Sequence, residues 1–257
     1  MKYILSIVML VIVAIALNAQ SLVFVTQDKP DFPNVMGEGL QFPATNPGVS
    51  VELVRLLEKE LKLAIEIKRF PWARCLETEL KNGTADGAFI ASYKKEREEF
   101  GKYPTNADGS VDTSKRVTTL SYSFFKLKNN AWTWDGKTLT GLSGSVGVPG
   151  GYSIADDLTK MGATVIANGS TELNFRNLLA GRLALVATID EDGDYILKKP
   201  EFVGKIEKIT TPIVSKPYYV MLSKQFVSKN PDLAAKIWNA VATLREKHYL
   251  KISEAYF

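Results

Sequence analysis

The sequence predicts an α/β protein of two lobes, and two patterns carry that prediction. Over residues 22–92 strand-like and helix-like stretches alternate as strand, helix, strand, helix, strand, which argues for a parallel sheet with helices on its faces. A second alternation of the same kind runs over residues 144–189, so a second α/β lobe is expected. No identical internal repeat and no low-complexity linker separates the halves.

Taken in order, the chain begins with a positive Lys2, an apolar core over residues 4–17 broken only by Ser6, and a small residue at Ala19. That pattern predicts a signal peptide over residues 1–19, cleaved before Gln20, and a periplasmic location. The apolar core is shorter than the roughly 20 residues that span a bilayer comfortably. Residues 22–26 (LVFVT) are β-rich, and residues 27–47 form a loop studded with Pro, Gly, Asn and Asp. Leu53, Leu56, Leu57 and Leu61 then fall at helical spacing, and Leu63, Ile65 and Ile67 alternate with polar neighbours as in a half-buried strand. Pro71 presets the first turn of a helix, in which Trp72, Leu76 and Leu80 recur four apart, and Asn82-Gly83 closes it. Residues 85–92 (ADGAFIAS) are a short apolar run expected as a buried strand. Beyond it, alternating charges surround Arg97, just outside the strand's carboxyl end, where open α/β sheets bind ligands.

Residues 103–116 (YPTNADGSVDTSKR) have turn residues and no apolar period, and are expected as an exposed excursion. β-like sequence returns at residues 118–127, and Asp135-Gly136 marks a turn. The second alternation assigns strands to residues 144–148, 163–167 and 183–189 and helices to residues 154–161 and 171–180. A further strand is expected at residues 218–223, and a long amphipathic helix at residues 231–248 with Leu233, Ile237, Val241 and Leu244 on one stripe. The clusters Asn106, Asp108, Asp112 and Asp190, Asp192, Asp194 lack calcium-loop spacing and are expected as solvated turns.

Composition excludes several classes. With 46% hydrophobic and 23% charged residues the chain can bury a core, and a net charge of +4 scattered among acids is no nucleic-acid footprint. Cys75 is the only cysteine. It excludes an intrachain disulfide, leaves no thiol at the cleavage site for a lipid, and is expected as a small buried residue. One histidine and one cysteine cannot build a zinc or manganese site, and no cofactor is implied. A Ser/His/Asp set is excluded too, because His248 lies near the end of the last helix.

Several motifs, in order, resemble the extracytoplasmic solute-binding proteins of family 3, which feed amino acids and similar solutes to ABC importers. They are a Gly-x-x-Val-Glu-Leu helix start at residues 48–53, "PWAR" at 71–74, "GTADG" at 83–87, "EREEF" at 96–100, "VGVPGG" at 146–151, "LLAGRLAL" at 178–185, and a closing "YF". The resemblance covers residues 22–257. It implies the type II periplasmic-binding-protein fold, with lobe 1 at residues 20–122 and 218–257 and lobe 2 at residues 123–217. Two hinge crossings, near residues 122–126 and 216–219, would join the lobes and allow closure around a ligand. It further implies a monomer that binds a small polar, carboxylate-bearing solute and delivers it to the membrane subunits of an importer.

The resemblance also implies site residues. Arg97 occupies the position that pairs with a ligand carboxylate, a task suited to its planar fork. Ser92 and Ala91 end the strand where relatives offer polar groups. Gly151, Tyr152 and Ser153 lie on a glycine turn leading into a helix, which presents unpaired N–H donors independently of any resemblance. Trp72 could stack on the ligand, and Arg74 could add a second cation to the cleft. The usual second-lobe acid for an ammonium group is replaced by Ala184; Asp190 falls one place late, and Asp28 after the first strand is a further candidate. Alternative functions are a dehydratase-like enzyme on the same fold, and a periplasmic sensor or orphan binding protein.

Overall fold

The computed structural model describes residues 21–141 and 143–257; the signal peptide expected over residues 1–19 lies outside the described residues. The first alternation forms as expected. β1 (Ser21–Gln27), α1 (Val49–Leu61), β2 (Ala64–Phe70), α2 (Trp72–Arg74, continued by π-helical turns at Cys75–Leu80) and β3 (Gly87–Ser92) follow one another. β1 pairs in parallel with both β2 and β3. α1 starts at Val49, ahead of the leucine stripe, because Gly48 turns the chain with φ 124°. A Cβ there would stand 2.3 Å from the Asn34 carbonyl oxygen.

After a 3₁₀ turn at Lys95–Glu99 and the short β4 (Gly101–Lys102), the long β5 (Thr118–Leu127) leads to a hairpin of β6 (Thr133–Trp134) and β7 (Leu139–Thr140). The second alternation is β8 (Val146–Pro149), α3 (Ile154–Lys160), β9 (Val165–Asn168), α4 (Thr171–Leu179) and β10 (Leu185–Ile189). β8 pairs in parallel with β9 and β10, so both units wind the same way. α5 (Asp190–Leu197), β11 (Ile206–Lys208), β12 (Val214–Ser223), α6 (Lys224–Lys229) and α7 (Pro231–Glu254) complete the fold.

β5 and β12 tie the two units together. They run antiparallel, with Val214 opposite Tyr122 and Tyr218 opposite Thr118. Beyond that stretch each strand changes partner, β12 to β3 and β5 to β10. The sheet order is therefore β2-β1-β3-β12-β5-β10-β8-β9: two parallel units bridged by two antiparallel strands. α7 returns to the first unit, where Ile237, Val241 and Leu244 join the core with Val54 and Leu57 of α1. Among the described residues no helix is long and apolar enough to cross a membrane.

One expectation is corrected. Asp190, Asp192 and Asp194 do not form a solvated turn but lie on helix α5, whose first turn holds Asp190, Glu191 and Asp192. Carboxylates there complement the helix dipole, so a cluster that looks like a loop serves as a helix start. α5 packs close to β5 through Gly193, where an added Cβ would stand 2.2 Å from Cζ of Phe125. Gly193→Ala should therefore destabilise the fold despite the better helix propensity of alanine, since overpacking costs about 1–3 kcal/mol against a propensity gain of about 1. Urea unfolding measures this, and a variant as stable as the parent would show that α5 can shift freely off β5.

Candidate functional site

The carboxyl ends of β1, β3 and β8 and the loops after them converge between the two units. β3 reaches this point through a bulge. Tyr219 of β12 faces Ala91 while Val220 faces Phe89, leaving Ile90 between them with φ 65°. A β-branched residue at positive φ is held there by its surroundings, and such bulges re-aim the chain beside functional sites. The next residue but one, Ser92, ends the strand inside a small chamber of about 10 Å³.

Arg97 lies on the 3₁₀ turn and is 5% exposed. Its Nη1 donates to the Ser92 carbonyl and to Ser92 Oγ, both at 2.9 Å, and its Nη2 donates to the Gly151 carbonyl across the gap at 2.8 Å. Ser92 Oγ in turn donates to Ser153 Oγ at 2.8 Å, and Lys216 Nζ donates to the same hydroxyl at 3.1 Å. Ser153 stands at the N-cap of α3, yet its hydroxyl caps nothing there. Gly151, with φ 76°, turns its carbonyl rather than its N–H toward Arg97, opposite in polarity to the donor loop expected. Tyr103 anchors the strand end by donating to the Ser92 carbonyl at 2.8 Å.

A larger cleft of about 320 Å³ adjoins the chamber. Asp28, Pro30, Pro71 and Trp72 line one side, and Pro149, Gly151, Tyr152 and Thr171 the other. Gln27, Trp72 and Tyr152 line both spaces, and the Tyr152 hydroxyl donates to Gln27 Oε1 at 3.1 Å. Trp72 is 7% exposed, with the Arg97 guanidinium 5.9 Å from its ring centre.

The other expected residues fall elsewhere. Ala91 is buried in the apolar cluster of Leu76, Tyr103 and Tyr219 behind the strand. Arg74 leaves the cleft: its Nε pairs with Glu79 at 2.8 Å and its guanidinium stacks 4.2 Å over Phe70. Asp190, in the first turn of α5, lines neither space. Sequence reasoning missed Asp31, Tyr122 and Tyr218, which line the chamber; the two tyrosine hydroxyls are 2.6 Å apart. Cys75 is buried, donates to the Thr26 carbonyl at 3.2 Å, and has its thiol pushed up to about 12 by burial. Among the described residues no group of three His, Cys, Asp or Glu could hold a metal ion.

A further contact crosses the gap at Asp192, which is 2% exposed and accepts from the Phe32 N–H at 3.2 Å. Phe32 stacks on Tyr195 with ring centres 4.3 Å apart. Burial raises the Asp192 carboxyl from 3.8 to about 6, so the folded protein takes up this proton more readily than the unfolded chain. The stability from keeping Asp192 neutral is complete below 3.8 and is lost as pH rises through about 6. Asp192→Asn stays neutral and still accepts from Phe32. It should gain on the parent as pH rises from about 4 to 7, by on the order of 3 kcal/mol at most. Unfolding curves of the two proteins across that range test this, and a constant gap would mean that Asp192 ionises in the fold as it does in the unfolded chain.

The profile of bacterial extracellular solute-binding proteins, family 3, matches residues 40–257. No curated protein sequence matches the chain. Among solved structures, a histidine kinase sensor domain with similarity to periplasmic binding proteins superposes with a TM-score of 0.73 at 16% identity, covering 93% of this chain and 96% of that one. The GluR0 ligand-binding core in complex with L-glutamate gives 0.72 at 15% identity, with 93% and 99% covered. The arginine-, lysine-, histidine-binding protein ArtJ from the thermophilic bacterium Geobacillus stearothermophilus gives 0.72 at 18% identity, with 93% and 95% covered. At these identities the likeness is one of fold.

Proposed function

Since this chain belongs to family 3 of the bacterial extracellular solute-binding proteins, we propose that it holds a small carboxylate-bearing solute between its lobes and hands it on unchanged to a membrane partner, the subunits of an ABC importer. One observation carries the carboxylate. Arg97 is buried, yet among the described residues it is in no ion pair; its fork is spent on neutral oxygens of Ser92 and Gly151. A buried guanidinium gains most from a planar anion, so a solute carboxylate that displaces these neutral acceptors is favoured. The solute's body occupies the adjoining cleft, with Trp72 and Tyr152 as its walls.

The lobe boundaries proposed are residues 20–122 with 218–257, and residues 123–217, with export through a signal peptide over residues 1–19. Closure bends β5 and β12 where they exchange partners. A thermal-shift screen of the mature protein against amino acids, dicarboxylates and small sugars tests the reading. Carboxylates should raise the melting temperature, the radius of gyration should fall at saturation, and the solute should be recovered intact. Stabilisation by sugars alone would overturn the carboxylate, and loss of the solute with release of product would establish an enzyme. The sensor-domain neighbour favours a second reading, in which the liganded form reports to a membrane receptor. Uptake of labelled solute in cells with and without the protein separates transport from signalling.

A further inference from the structure

We propose that the loop after β1 and helix α5 form a latch that holds the two lobes shut from outside the solute's space, and that acid pH fastens it. The proposal rests on the reading that the lobes close by a hinge. On the first lobe Phe32 is 5% exposed, and its ring stacks on Tyr195 of α5 with centres 4.3 Å and planes 6° apart. Phe257 meets the same ring edge-on at 5.2 Å, so the first lobe holds Phe32 in place. The Phe32 N–H donates to Asp192 Oδ1 at 3.2 Å. Phe32, Asp192 and Tyr195 line neither the chamber nor the cleft but a separate space of about 60 Å³. α5 belongs with the second lobe, because Gly193 packs on Phe125, which faces Val186 of β10. When the lobes part, α5 therefore cannot follow Phe32.

The closed latch leaves a charge on Asp192 without support. Its Oδ2 is buried and has no hydrogen-bond partner. The cations in the same space are engaged by other acids, Lys199 by Glu172 and Lys29 by Glu38. Asp31 on the loop, Tyr152 ahead of α3, and Glu191 and Tyr195 on α5 are the remaining titratable neighbours, and they bring no positive charge. Burial is accordingly the largest influence on the Asp192 carboxyl and raises it to about 6, with Glu172 adding to the rise and Thr171, Phe32 and Lys199 opposing it.

Opening removes Phe32 and Tyr195, admits water, and returns the carboxyl toward 3.8. The group is raised in the closed form, so closing takes up a proton. The latch is complete below 3.8 and weakens as pH rises through about 6. Those two values give about a tenfold loss of closure between about pH 5 and about pH 7.5. Because the latch meets no solute, it scales the affinity for every solute by one factor.

Hydrogen exchange at the Phe32 amide reads the latch directly and needs no solute. Corrected for intrinsic rates, protection in the parent should fall about tenfold over that pH range. Asp192→Asn, which still accepts from Phe32 but carries no charge, should hold it level. Tyr195→Ala should lower protection by about two- to tenfold at either pH, as expected for a lost aromatic stack. Calorimetry uses the tightest of the twenty L-amino acids, histidine excluded because it titrates in this range. The parent's affinity relative to Asp192→Asn should fall by the same factor of about ten, a ratio that cancels groups titrating alike in both proteins, Asp31 included. Exchange at the intrinsic rate, or the same pH dependence of protection in parent and Asp192→Asn, overturns the latch. A level affinity ratio overturns it too, since the contact would then be local to Phe32. If the amide behaves as expected and no amino acid binds, the latch stands and the carboxylate reading falls.

Discussion

Arg97→Ala is expected to weaken solute binding by about thirty-fold to several thousand-fold. Removing one partner of a buried, hydrogen-bonded charge pair costs about 2–5 kcal/mol, and about 1.4 kcal/mol is a decade in the dissociation constant. The structure adds a reason for the upper part of that range. The same guanidinium joins the two units through the Gly151 carbonyl and organises Ser92, which reaches Ser153. Alanine therefore removes the anion's partner and an interlobe contact together. Arg97→Lys separates the two contributions: it keeps the charge but not the two parallel donors, and should recover only part of the affinity. An affinity for Arg97→Ala within about fivefold of the parent, roughly 1 kcal/mol, would remove Arg97 from the site.

Most of the fold is legible in the sequence because each parallel unit is written in local patterns, such as the leucines of α1 and the apolar run that becomes β3. Where patterns conflict with function, legibility fails. The first half of β12 was obscured by Pro217, a residue that argues against a strand interior. α5 was hidden by acids that suit a helix start as well as a turn. Of the residues that the motifs single out, Trp72, Ser92, Arg97, Tyr152 and Ser153 meet around one chamber, and Gly151 reaches it through its bond to Arg97. Asp31 gave no signal. It sits in a proline-rich loop, and only the turn closing on Val35 and the approach of the other lobe bury it. Arg74 turns to Glu79 rather than to the cleft for a related reason. Position along a helix fixes a side chain's face only while the helix stays regular, and π turns begin at the next residue.

The last expected result concerns the other buried arginine, which no motif singles out. Arg69→Ala should cost the fold about 3–5 kcal/mol while leaving the preference between solutes unchanged. Arg69 is 1% exposed and serves protein carbonyls alone: Nε donates to Gln27 at 3.0 Å, Nη1 to Met36 at 3.1 Å and Gln41 at 2.8 Å, and Nη2 to Gly37 at 2.7 Å. Its guanidinium also lies 4.7 Å from the centre of the Phe42 ring. These four bonds fasten the end of β1 and the loop after it onto β2. Hydrogen bonds to a charged group contribute about 1.5–3 kcal/mol each and are far from additive, and water can reach the loop carbonyls once the side chain is gone, hence a total below their sum. Lysine has donors but no planar fork to span all four acceptors, so Arg69→Lys should lie between alanine and the parent. Urea unfolding gives the stability, and calorimetry of the same variants gives the ratio of affinities for an amino acid and its deaminated form. A loss of stability below about 1 kcal/mol would mean that the loop holds itself without Arg69. A changed ratio would mean that Arg69 reaches the solute through Gln27, whose carbonyl it holds and whose side chain meets Tyr152.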